Sequence, residues 1–158
     1  MLGTMKIWKI VAAFVVALGV TGAGWAATSA ASHHHGGHAS KLALDNGKKW
    51  PTDEPLRQGM KSIRSNLEAS LHAIHENKLT VAAYDELADK VNAQVGTIVA
   101  QCKLEPKADA QLHVLIAQIL EGVQAMQGKQ KKVKRHAGAV IILTALEQYG
   151  TYFDDPNW

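Results

Sequence analysis

From residue 53 onward, apolar residues return every three or four positions in four successive stretches, and this period constrains the fold more than any other feature. Leu56, Met60, Ile63, Leu67, Leu71 and Ile74 make the first stripe, and Tyr84, Leu87, Val91, Val95, Ile98 and Cys102 the second. Ala108, Leu112, Leu115, Ile119, Val123 and Met126 form the third; Ala139, Ile142, Leu143, Leu146, Tyr149 and Phe153 form the fourth. Such spacing gathers side chains onto one face of a 3.6-residue helix. No period-two alternation, the mark of a half-buried strand, competes with it.

The punctuation agrees. Asp53 is a good N-cap, with Pro55 tolerated in the first turn. Asn77-Lys78 ends the first helix, Thr80 caps the second, Glu105-Pro106 opens the third and Gly128 stops it. Asp154-Asp155-Pro156 ends the fourth. Four helices of about 20 residues, each near 30 Å long, with short connections, run antiparallel to their sequence neighbours. The expected fold is therefore all-α, an antiparallel up-down-up-down four-helix bundle over residues 53–158. Its bottom holds Trp50 and Trp158, expected to cover the open end of the core together. Its top holds His72, His75, Met126 and His136.

The first 52 residues read differently. Lys6 and Lys9 form a positive n-region, residues 10–20 an apolar h-region, and Gly24 and Ala26 offer the small residues of a cleavage site. Residues 1–26 are expected to be an export signal, giving a periplasmic location. The alternative is an uncleaved N-terminal membrane anchor, although the apolar run is short of the roughly 20 residues that span a bilayer. Residues 27–52 read as a small, polar, His-rich tail and lead-in, with a turn at Asp45-Asn46-Gly47. Loss of Lys6 and Lys9 would lower the formal charge from +3 to about +1, which implies no strong polyanion partner. Nucleic acid is not expected. The single cysteine excludes an internal disulfide.

Enzymatic signatures are absent: there is no Gly-rich phosphate loop, no H-E-x-x-H and no nucleophile elbow. The chain is not expected to be an enzyme. Chemistry concentrates instead in metal-ligating residues. His33, His34, His35 and His38 stand within six positions, and neutral imidazoles bind copper, nickel, zinc and iron, with copper favoured at equal supply. A second candidate is the top of the bundle. There His72 and His75 lie about 60° apart around one helix, on a helix neighbouring that of His136. A third is inward: Met60 and Cys102, with His113 joining if its helix is rotated, would suit soft Cu(I). Lys131, Lys132, Lys134 and Arg135 place positive charge at a helix N-terminus against the macrodipole. They suggest a periplasmic protein partner or an anionic membrane surface.

With these helices in view, residues 53–153 resemble the exported bundles of the cytochrome b562 and cytochrome c′ type. Pro55-Leu56-Arg57-Gln58-Gly59-Met60 is similar to the start of the b562 first helix, and the resemblance implies Met60 as an axial haem ligand. The family's second ligand is a histidine near the end of helix four. Residues 146–153 carry no histidine, and C-x-x-C-H is missing. Haem is accordingly not expected as a cofactor. The expectation is a periplasmic bundle that binds or buffers a transition metal, copper first. The alternatives are a haem-binding electron-transfer bundle and a non-catalytic interaction or signalling bundle.

Overall fold

Asp53 starts the first helix as its sequence suggests: its Oδ1 accepts the Leu56 N–H at 3.0 Å. The computed structural model describes residues 41–158. The expected export signal and His33, His34, His35 and His38 therefore lie outside the described residues. Within them the protein is mainly helical. In chain order come β1 (Trp50–Pro51), α1 (Glu54–Glu68), α2 (Leu71–His75), α3 (Val81–Gln101), α4 (Pro106–Met126), α5 (Arg135–Tyr152) and β2 (Phe153–Asp154).

The first expected helix is two helices. Ser70 takes φ −108° and ψ 0°, outside the helical well, and its N–H reaches back only three residues to the Leu67 carbonyl. The break carries neither proline nor glycine, so the apolar spacing runs straight through it. Ile74 of α2 is nevertheless buried, in line with Leu67 of α1. Asn77, at φ 52°, closes the segment as expected: the Lys78 N–H bonds the Ala73 carbonyl five residues back, a left-handed cap. Gly128 does the same for α4 at φ 69°, with the Lys129 N–H on the Gln124 carbonyl.

The stripes meet in one core. Leu56, Met60, Ile63, Leu67, Val91, Ile98, Leu115, Ile119, Ile142 and Tyr149 are all buried, and no polar or charged residue is buried among the described residues. The broadest contact joins α4 to α5; α1 packs on α3, α3 on α4 and α1 on α5. The α4–α5 contact depends on two glycines. A Cβ on Gly138 would stand 2.5 Å from the Gly122 carbonyl oxygen and 2.6 Å from the Met126 nitrogen, so the two backbones touch with no side chain between them.

The all-α class holds, with one short addition and two corrections. A strand pair does exist: β1 and β2 run parallel, Trp50 opposite Phe153 and Pro51 opposite Asp154. Two residues on each side are too few to show as alternation. Cys102 does not sit within a helical stripe but caps the C-terminus of α3 in extended conformation, half-buried. Trp158 does not close the bottom of the core. The chain reverses after β2 and lays the indole against α1, where Arg64 stands 5.0 Å from its ring centre. Trp50 alone remains at the bottom, buried, with its ring N–H on the Ala43 carbonyl at 2.6 Å.

Candidate functional site

The bottom of the molecule is a polar joint built around Asp53. One carboxylate oxygen caps α1, and the other accepts the Lys103 N–H at 2.6 Å, so a single side chain ties the start of α1 to the end of α3. Beside it, Thr52 donates to the Asp154 carbonyl at 2.6 Å, and Arg57 donates to the Thr52 carbonyl at 2.8 Å. Lys49 reaches the Gly150 carbonyl at 2.7 Å. The Tyr149 hydroxyl donates to Asp155 at 3.1 Å. Burial, and then the Asp155 charge, hold that phenol well above its ordinary pKa. Cys102 adjoins the same joint. Burial first, then the charge and hydrogen bond of Asp53, push its thiol up to about 12. The joint consists of mutually satisfied groups and offers no activated nucleophile, since reactive cysteines need a lowered pKa.

This bears on the inward soft site. Met60 is wholly buried in the core. Cys102 is half-buried with a thiol disposed against the thiolate form that a soft metal requires. His113 is exposed, with its Nδ1 2.9 Å from the Asp109 carbonyl oxygen and 3.4 Å from its carboxylate. Met60 thus lies in the core, Cys102 at its edge and His113 on the surface. Tyr149 and Phe153 fill the end of α5 as buried core residues, at the place where the resemblance implies a histidine ligand.

At the other end, His72 is exposed beside Glu76 at 3.5 Å. His75 is exposed, and His136 is half-buried in the first turn of α5. Among the described residues no three His, Cys, Asp or Glu side chains are grouped so as to hold a metal ion. In the basic run, Lys131, Lys132 and Lys134 are exposed. Arg135 is half-buried and bonds Asp85 at 2.5 Å and the Met126 carbonyl. It lies over Gly128 as well. Arg135 is thus a clamp that ties the α4–α5 loop to α3, and sequence proximity to the lysines gave no sign of this.

A broad concavity runs between α1, α2 and α5. It encloses about 510 Å³, with Leu71, Leu143 and Leu146 as its floor and Arg64, Glu68, His75 and Glu147 around it. Trp158 forms one wall. Sequence reasoning missed this groove because its wall depends on the direction of the chain after residue 155. Asp155 was the available signal, since its Oδ1 accepts the Asn157 N–H at 2.9 Å and turns the chain back. No family model matches the chain, and no characterised protein or solved structure shows a match to it. Among the described residues no helix is long and apolar enough to cross a membrane.

Proposed function

We propose that this chain is an exported, non-catalytic helical bundle that captures a transition metal, copper before nickel or zinc. The ligands are His33, His34, His35 and His38. His72, His75 and His136 serve as separate surface ligands rather than a preformed site. In this reading α1 and α2 make one leg of an up-down-up-down bundle with α3, α4 and α5. The short connections between helices and the Asp53 tie from α1 to the end of α3 support that arrangement.

One observation carries the proposal. The chain has eight histidines, and the described fold buries none of those it contains. Histidine therefore contributes nothing to the core, and half of the total stands in one short segment ahead of it. A group of imidazoles can wrap a single ion without the rigid geometry that the fold does not supply. Metal binding of this kind competes with protons for the imidazole nitrogens.

Calorimetric titration of the full chain with Cu(II), Cu(I) and Zn(II) tests this reading. The expected result is binding much tighter than roughly millimolar, largely lost when His33, His34, His35 and His38 are all replaced by alanine. Equal affinity in that variant overturns it.

A further inference from the structure

Gly150 is half-buried in the last turns of α5, a helix whose interior gains nothing from glycine conformationally. Its surroundings supply the reason. A Cβ there would lie 2.5 Å from both Cδ1 and Nε1 of Trp158, so the indole rests directly on the helix backbone. The edge of the neighbouring Tyr149 ring completes the seat, with centroids 4.6 Å apart and planes at 75°. Arg64 stands over the indole at 5.0 Å and keeps its ion pair with Glu68 at 2.8 Å. Backbone, aromatic edge and guanidinium together define a slot for a flat ring.

The ring that fills the slot is partly exposed and packs at the edge of the core. Downstream of β2 the segment is fastened at Asp155, which accepts from Tyr149, from the Asn157 N–H and, through its carbonyl, from the Trp158 N–H at 3.2 Å. The indole itself is held by packing on the α5 backbone at the edge of the core, with an edge-on aromatic contact and a cation–π contact adding individually small amounts. Swinging it out breaks no helix and leaves the β1–β2 pair intact. The indole also divides a longer groove. The 510 Å³ hollow on one side and a 270 Å³ hollow on the other, reaching to Lys61 and Asn157, share Arg64, Glu68 and Trp158 as lining. The larger hollow falls within the size of small-molecule sites.

We propose that this slot is a binding site for a small aromatic compound of one or two rings, normally occupied by Trp158 and open to it when the indole swings out. The incoming ring would take the place of the indole on Gly150, between Tyr149 and Arg64. Any apolar substituent would lie along Leu71, Leu143 and Leu146. A site occupied by the protein's own ring for most of the time binds an outside ring in proportion to the vacant fraction. This proposal is independent of metal capture.

The test uses the full chain labelled with 5-fluorotryptophan, in which the Trp158 fluorine resonance is assigned by its loss in Trp158→Phe. Gly150→Ala, whose new Cβ expels the ring, marks the resonance position of the displaced indole. Asp155→Ala, which removes the side-chain part of the fastening, gives a second marker if the first variant does not fold. Titration with unlabelled indole is expected to move the Trp158 resonance toward the displaced position and leave the other tryptophans unmoved. In Trp158→Ala, with the competing ring gone, indole is expected to bind about tenfold tighter than to the unaltered chain. A Trp158 resonance that stays fixed up to the solubility limit of indole overturns the proposal, as does equal affinity in Trp158→Ala. Displacement by N-acetyltryptophanamide but not by indole also overturns it, since it would mean that the slot reads a peptide-borne side chain.

Discussion

Near the start of α5, Gly138 faces the backbone of α4; near its end, Gly150 faces the indole of Trp158. In both places an added Cβ would meet its neighbour at 2.5 Å, yet the two contacts differ in what can yield. Around Gly138 the obstacles are the Gly122 carbonyl and the Met126 nitrogen, both fixed in a helix, with the Ala125 methyl at 2.9 Å. Around Gly150 the obstacle is a single ring on a short segment. The same residue type thus locks one face of a helix to its neighbour and leaves another face, about 120° round, adjustable. Close approach alone does not make an interface rigid; the mobility of the facing atoms decides it.

The strongest way to break this comparison is to fill both glycines. Gly138→Val is expected to cost about 3 kcal/mol or more, because neither backbone can retreat. Gly150→Ala should cost at most about 1 kcal/mol, since the ring moves and the helix gains propensity. Urea unfolding of the two variants measures the gap, and equal losses would remove the distinction. Next in size is Arg135→Ala, which leaves the Met126 carbonyl and Asp85 without their donor. A loss of about 1–2 kcal/mol is expected, discounted because Asp85 is half exposed. A loss below a few tenths would mean that the glycine contact and the apolar packing hold α4 to α5 without the clamp.

The smallest effect probes the joint between α1 and α3, away from both faces of α5. The Cys102 thiol is raised from its ordinary 9.0 to about 12 by burial and by Asp53. The folded state therefore holds a proton that the unfolded chain gives up earlier. The contribution of this group to stability is complete below about pH 9 and is lost as the pH rises toward about 12. Iodoacetamide should consequently modify Cys102 slowly at neutral pH, and Cys102→Ser should remove part of the alkaline loss of stability. Rapid alkylation at pH 7 would place the joint with the adjustable regions of the molecule.

Much of the fold was legible because burial follows periodicity. Leu56, Met60, Ile63 and Leu67, and likewise Leu112, Leu115 and Ile119, are buried where their spacing puts them. The features that escaped the sequence are those decided by a partner remote in the chain. Gly122 and Gly138 inside helices look like mere weak points until their backbones are seen in contact. Arg135 reads as one more positive charge beside Lys134, yet its geometry is set by Asp85 on α3. Ser70 interrupts a helix without a proline or glycine to announce it. Of the candidate metal ligands, the structure gives positions to His72, His75, His113 and His136 and brings no three of them together. The ring slot was invisible because it consists of a glycine, a tyrosine edge and an arginine, joined only when the chain turns back after Asp155.

The parallel pair of Trp50 and Phe153 has a consequence for the order of folding. It joins positions about a hundred residues apart, whereas the contact of Gly122 with Gly138 closes a loop of fewer than twenty, so the entropic cost of bringing the ends together is greater for the outer pair. Two residues per strand return little against that cost until the intervening helices have drawn the ends together. The α4–α5 hairpin is therefore the natural early event in folding, and the bridge between the two outer stretches of the described chain is the closing one.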